Sequence, residues 1–387
     1  MQPLKCPAAG TDTLAARHVA ELDGIRGIAI IFVLLHHQLA PVSLTGGFLG
    51  VDLFFVLSGF LITSLLLGEF RRSATISVKN FYIRRLLRLG PALALYLAAS
   101  VLVTYHNQLI DLRRQLKLVA IAVFYSTNWR MAFGWDTTLD PTAIIWSLSI
   151  EEQFYLVWPL LLLACLALKV RRQLIVAGLV AVILAILAHR YLLFAAGADL
   201  TRLYYGTDTR ADSLLVGCVF AFMNVTGAGS RTKSWLNLAG VCSAASLIFL
   251  VLTINFSDGF LYRGGFTGVA VLSGMVILVA ANSPPRVLSW VLRWQPLRWF
   301  GTISYGLYLW HWMVVKNVSF SSLGGWDPWA KLALAVGISA ASFYLVEKPF
   351  NKLKNRFSTG SSASRDTATT NVRDEARSPT IPLAHGR

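Results

Sequence analysis

The chain has 387 residues, 55% hydrophobic and 14% charged. Its apolar residues gather in runs long enough to cross a bilayer, which excludes an ordinary soluble enzyme and indicates a polytopic membrane protein. A formal net charge of +16 raises nucleic acid as a partner, but the basic residues cluster between apolar runs, the pattern of loops held on the cytoplasmic side, so no nucleic-acid role is inferred.

The predicted elements begin after a polar N-terminal segment, residues 1–20, which holds no hydrophobic stretch ahead of a cleavage site, so the first span is its own anchor. Spans are predicted at 22–40, 48–68, 88–105, 145–168, 173–195, 207–224, 235–253, 264–281, 301–319 and 329–347. The fold class is therefore an all-α transmembrane bundle occupying residues 21–350, with about ten spans and both termini cytoplasmic. Basic clusters punctuate it: Arg71, Arg72, Lys79, Arg84, Arg85 and Arg88, then Lys169, Arg171 and Arg172, then Arg231 and Lys233, then Arg286, Arg293 and Arg298. A shorter apolar stretch, Leu116 to Tyr125, would invert every later basic loop if it crossed, and is read as interfacial or re-entrant. Trp129, Trp290, Trp299, Trp326 and Trp329 near span ends fit an interfacial aromatic belt. Residues 351–387 are polar and read as a disordered cytoplasmic tail. The four cysteines, Cys6, Cys165, Cys218 and Cys242, are scattered and indicate neither a disulfide framework nor a metal site.

Ionisable residues inside spans are costly and mark function by default. In LDGIRGIAIIFVLLHH, Arg26 and His37 are eleven positions apart, so at about 100° per residue they share one helix face, separated by about 16 Å along the axis. The plain alternative is a snorkelling arginine and a histidine at the helix end. In WSLSIEEQFYLVWP, Ser147, Glu151 and Tyr155 form a second polar stripe, with Glu152 turned away from Glu151. In SYGLYLWHW, Ser304, Tyr308 and His311 form a third. Asp208, Arg210 and Asp212 of TDTRADSLLVG could contact a hydroxyl-rich substrate or form a local ion pair. Arg85 and Arg88, one turn apart at a helix start, suit phosphate, whose oxygens match the planar guanidinium fork. Gly50 and Gly59 would let helices approach closely, and Asp52 needs a partner if buried, Arg26 or water.

Taken in order, LDGIRGIAIIFVLLHH, GGFLGVDLFFVLSGFLIT, FYIRRLLRLGPAL, WSLSIEEQFYLVWP, TDTRADSLLVG, ISYGLYLWHW and FYLVEKP resemble the acyltransferase type 3 family of integral membrane acyltransferases. The resemblance covers about residues 20 to 350. It implies transfer of an acyl group, often acetyl, from cytoplasmic acyl-CoA to a hydroxyl on an envelope or exported carbohydrate, in the inner membrane. The family's first-span arginine and histidine fall on Arg26 and His37, its arginine pair on Arg85 and Arg88, and its Ser-x-Glu element on Ser149 and Glu151. His36, where the family commonly has an aromatic or aliphatic residue, is a departure.

The expected chemistry places donor phosphates on Arg85 and Arg88, with Arg26 helping to hold the donor. His37 is the general base for the acceptor hydroxyl, and Glu151 orients or stabilises its imidazole. Asp208, Arg210, Asp212, Tyr308 and His311 are candidate acceptor contacts. Acyl-CoA is the co-substrate and no metal is called for. The partners are a carbohydrate or glycolipid acceptor and membrane lipid, with no obligate protein partner. Direct transfer and an acyl-histidine intermediate both remain open. The rival is a transporter or flippase of a glycan or lipid-linked sugar, since intramembrane Arg, His, Glu and Asp also describe carriers; a non-catalytic assembly partner is the third reading.

Overall fold

A computed structural model describes residues 19–38, 44–108, 110–135, 140–224, 233–282 and 284–354. The N-terminal segment up to residue 18 with Cys6, the Arg231 part of its basic cluster and the tail from 355 lie outside the described residues. Among the described residues every regular element is helical.

In chain order the helices are α1 (Ala20–Gln38), α2 (Gly50–Ser73), α3 (Val78–His106), α4 (Leu112–Val123), α5 (Thr127–Ala132), α6 (Trp146–Ala167), α7 (Arg172–Ala195) and α8 (Leu200–Tyr205). They continue as α9 (Thr207–Arg210), α10 (Asp212–Asn224), α11 (Lys233–Thr253), α12 (Phe266–Asn282), α13 (Arg286–Leu292), α14 (Gln295–Asn317), α15 (Asp327–Ser342) and α16 (Lys348–Lys354). A π-helical turn, Phe343–Glu347, joins α15 to α16, so helix continues past the expected tail boundary at 350.

Each predicted span coincides with a helix, but among the described residues seven stretches are by themselves long and apolar enough to cross a membrane: Gly47–Ser73, Val78–His106, Pro141–Ala167, Arg172–Ala195, Ser234–Thr253, Leu261–Asn282 and Ser321–Leu353. The other three fall short for identifiable reasons. α1 carries Glu21, Asp23 and Arg26, α14 is dense in polar and aromatic residues, and α10 has 13 residues. Two of these three carry the candidate site, so their weak hydropathy reflects polar groups placed inside the bundle.

Two glycine-mediated crossings organise the bundle. Gly24 and Gly27 of α1 lie against the backbone at Leu292 and Leu297, and Gly301 of α14 lies against the Asp23 carbonyl; a Cβ at any of them would overlap those atoms. Close backbone approach through small residues is the usual packing device between membrane helices. α1 and α14 therefore run parallel, and contact near Gly27 at one end brings their last turns together at the other. We call the end where α1 begins the near end and the end where it finishes the far end. Gly59 of α2 and Gly217 of α10 make the second crossing, against the backbone at Leu214 and Val56 respectively, and Gly50 lies against the Ala29 carbonyl. The close approach expected at Gly50 and Gly59 is present.

The segment Leu116 to Tyr125 folds back. α4 runs antiparallel beside α3, where Gln115 Nε2 donates to Ser100 Oγ at 3.1 Å. The chain reverses at Tyr125, whose φ of 49° lies in the left-handed region and whose carbonyl accepts from Gln153 Nε2 at 2.8 Å. α5 then returns toward the far end, where Arg130 pairs with Asp140 at 2.8 Å.

Candidate active site

The site has two parts, a basic cavity between α1, α2, α3, α6 and α14, and a histidine pair beyond it. The cavity is partly open to the outside, with about 630 Å³ of empty space when the part continuous with solvent is counted, and its polar lining includes Arg26, Arg85, Arg88, Ser58, Glu151 and Tyr308. Each helix contributes through the stripe its sequence carries. α1 presents Arg26, α3 presents Arg85 and Arg88 one turn apart, and α6 presents Ser147 and Glu151.

Arg85 is held from three sides. Its guanidinium lies 3.6 Å from the Tyr155 ring centroid, its Nε is 3.4 Å from Glu152 Oε1 and another nitrogen is 3.7 Å from Glu151 Oε2. Glu151 also accepts from Ser58 Oγ at 3.0 Å and from Tyr155 OH at 3.2 Å. Arg26 and Arg88 line the same space and make no ion pair within 4 Å among the described residues. Three guanidinium groups thus stand against two carboxylates, Glu151 and Glu152, both held by Arg85, so the cavity keeps a net positive charge suited to an anion. Arg84, by contrast, points away to Glu69 at 3.2 Å.

The histidine pair closes the far end. His311 Nδ1 donates to the Leu307 carbonyl at 2.9 Å, because a carbonyl can only accept. His311 Nε2 is then the unprotonated nitrogen of a neutral ring, and it accepts from His37 Nδ1 at 3.1 Å. With its proton on Nδ1, neutral His37 keeps a free lone pair on Nε2, the requirement for a general base. The Trp312 ring meets His37 edge-on at 5.3 Å, and Trp312 Nε1 donates to the Asp140 carbonyl at 3.2 Å. Tyr308 joins the two parts: it lines the cavity, shares a 2.6 Å hydrogen bond with Ser147 Oγ and has its ring 5.8 Å from that of His311. His36 also meets the His37 ring edge-on, at 5.3 Å, but its Nδ1 is 3.2 Å from the Leu44 carbonyl and takes no part in the His37–His311 hydrogen bond.

Several sequence expectations are therefore corrected in their geometry. Glu151 makes no hydrogen bond to His37; it faces Arg85, and the residue hydrogen-bonded to His37 is His311. Ser149 donates to its own helix at the Ile145 carbonyl, 3.0 Å, away from the cavity. Asp52 is paired with Arg210 and not Arg26: one guanidinium nitrogen lies 3.0 and 3.1 Å from its two oxygens, and Ser213 Oγ donates to it at 3.1 Å. The parallel α2–α10 crossing brings the turn before α10 onto the first turn of α2. The trio Asp208, Arg210 and Asp212 forms no mutual pair. Asp212 binds Arg190 at 2.9 Å, both fully buried, and Asp208 binds Arg202 at 2.5 Å and His189 at 3.1 Å. Arg210 and Asp212 are thus taken up in the core, and Asp208 alone of the three remains reachable.

Among residues the sequence did not single out, Tyr305 lines the cavity and donates to the Leu89 carbonyl at 3.1 Å. Trp312 braces His37. Their signal was in the segment SYGLYLWHW, where both stand beside the polar stripe. Among the described residues no group of three or more metal-ligating side chains occurs.

Comparison with known proteins places this arrangement. The type 3 model described as an acyltransferase domain matches residues 19–347. The chain is 35% identical over 360 residues to "Peptidoglycan O-acetyltransferase OatA" of Listeria monocytogenes, covering 88% of this chain and 57% of that protein. It is 33% identical over 351 residues to "Putative peptidoglycan O-acetyltransferase YrhL" of Bacillus subtilis, covering 86% and 55%. It is 34% identical over 355 residues to "O-acetyltransferase OatA" of Staphylococcus aureus, covering 87% and 58%. The chain therefore spans little more than half the length of these relatives. No solved structure matches it.

Proposed function

The chain belongs to the type 3 acyltransferase family, and from that premise we propose that it is a multi-pass membrane O-acyltransferase. In this reading it moves an acyl group, acetyl above all, from cytoplasmic acyl-CoA to a carbohydrate hydroxyl at the far end. The near end with its basic loops faces the cytoplasm, both termini lie there, and about ten helices span the inner membrane, α1, α10 and α14 among them. The family match and the O-acetyltransferase names of the relatives support acyl transfer over the carrier reading.

The observation that carries the proposal is the juxtaposition of an arginine-lined cavity with a base-competent histidine, joined through Tyr308. Arg85 and Arg88, with Arg26 above them, bind donor phosphate and draw the pantetheine arm into the cavity. Glu151 acts on this donor side, fixing the aim of Arg85, instead of orienting the base. His37 Nε2 takes the proton of the acceptor hydroxyl as its oxygen attacks the thioester carbonyl. A C–O bond forms, the C–S bond breaks, and the proton passes from His37 to the departing thiolate. The Nδ1–H of His37 stays on His311 throughout, which stabilises the imidazolium formed in between. Of the candidate acceptor contacts, Tyr308 and Asp208 keep that role, and His311 moves to the histidine pair.

Purified protein in proteoliposomes, supplied with labelled acetyl-CoA and a glycan acceptor, tests this directly. Label should reach the glycan, and His37→Ala should lower the rate by about 10²- to 10⁴-fold with the protein still folded. Wild-type turnover by a well-inserted His37→Ala protein would sink the assignment.

A further inference from the structure

A second feature at the far end adjoins Asp208, one of the acceptor contacts proposed above. Trp129, Phe133 and Trp135, from α5 and the turn after it, form a ladder of near-parallel rings. Centroids are 5.6 Å apart with planes at 15° for the first pair, and 5.3 Å apart at 21° for the second. Phe133 is 50% exposed and Trp135 70% exposed, so the ladder ends in a bare indole. The Arg202 guanidinium sits 5.8 Å from the Trp129 ring and 5.2 Å from Phe133. It holds Asp208, which also meets His189, and the Asp208 and His189 side chains are 36% and 46% exposed. An aromatic face thus stands beside a reachable carboxylate and imidazole.

The ladder is fixed in place. Asn128 donates to the Tyr205 carbonyl at 3.2 Å and to Thr207 Oγ1 at 2.9 Å, tying α5 to α8 and α9. Asp199 caps α8, accepting from the Thr201 backbone and hydroxyl, both at 2.9 Å; those two bonds hold its carboxyl below the ordinary aspartate range. On the other side, Arg130 of α5 pairs with Asp140, whose carbonyl receives Trp312, the residue that braces His37. The surface is therefore continuous, through one buried ion pair and one indole, with the proposed base.

We propose that this ladder, with Arg202, Asp208 and His189 at its edge, is a docking surface for the acceptor glycan strand, holding sugar units flanking the one acylated. The inference rests on the acyl-transfer reading for the identity of the strand. A pyranose ring offers an apolar C–H face bordered by hydroxyls, which matches a flat indole bordered by a carboxylate and an imidazole. The acyl chains of lipid make no use of such a border. Trp290, Trp294 and Trp326 are comparably exposed, at 76%, 60% and 72%, yet none of them stacks on another ring among the described residues, as expected of residues that only anchor.

The test uses the full chain in nanodiscs, with a tetrasaccharide of N-acetylglucosamine and the single sugar as probes, and measures binding by calorimetry without donor. The tetrasaccharide should bind wild type. Trp135→Ala should weaken it about tenfold, the loss of one stacking contact, while Trp135→Tyr stays close to wild type and Trp290→Ala has no effect. The single sugar should show no dependence on Trp135. Absence of tetrasaccharide binding to wild type, unchanged binding to Trp135→Ala, or equal losses in Trp135→Ala and Trp290→Ala would each overturn the proposal, the last assigning the ladder to lipid. Tetrasaccharide binding that survives in a protein showing no acyl transfer would instead strike the catalytic reading and leave the surface standing.

Discussion

Replacing His311 with alanine isolates the role of the histidine pair. His311 is fully buried, its Nδ1 is committed to the Leu307 carbonyl, and its Nε2 is the acceptor for His37 Nδ1–H. Its removal takes away that acceptor in a half-buried setting, a cost of about 1–3 kcal/mol. If the cost falls on the protonated imidazole of the transition state, kcat drops between about fivefold and about a hundredfold at roughly 1.4 kcal/mol per decade. The donor KM should be unchanged, because the arginine cavity lies on the other side of Tyr308. Steady-state acyl transfer with labelled donor reads both parameters, and thermal unfolding in detergent checks that each variant is folded. His311→Gln, whose amide oxygen can accept, should recover part of the loss. His37→Ala combined with His311→Ala should be no slower than His37→Ala alone, since His311 acts only through His37. Additive losses in the double variant, or a folded His311→Ala protein with wild-type kcat, would refute the pair.

Other parts of the molecule give separate expectations. Arg88→Ala, and Arg85→Ala more strongly because it also frees Glu151 and Glu152, should raise the donor KM while a titration of acceptor KM stays flat. Asp52→Ala leaves the fully buried Arg210 unpaired and should cost about 3–5 kcal/mol of stability, with Asp52→Leu/Arg210→Met recovering most of it; unfolding midpoints in detergent decide. Gly59→Ala and Gly217→Ala push a methyl into the backbone of the facing helix and should each destabilise by about 1–3 kcal/mol, whereas Gly337→Ala, with open space around it, should not.

Helix positions and the polar faces of the helices were legible in the chain because both follow from local rules. A run of apolar residues must bond its own backbone as a helix, and helical period alone put Ser147 with Glu151 and Ser304 with Tyr308. All four line the cavity. The cost of ionisable groups inside spans pointed to Arg26, helical spacing to Arg85 and Arg88, and the placement of the basic loops kept Leu116 to Tyr125 from being counted as an ordinary crossing. They said nothing of which stripe faces which. Glu151 was expected beside His37 because both were polar and both lay inside spans, and the partner of Asp52 was left open between Arg26 and water.

Pairing between distant helices depends on where backbones can touch, and here glycines decide it. Gly24, Gly27 and Gly301 lock α1 to α14 in parallel, so His37 meets His311 across 274 residues of sequence. Gly59 and Gly217 lock α2 to α10, so Asp52 meets Arg210. The sequence by itself determined the helices, the polar residues they carry and the family. The tertiary structure decided the partners, because a contact between helices is fixed by the fit of two surfaces that neither segment specifies alone.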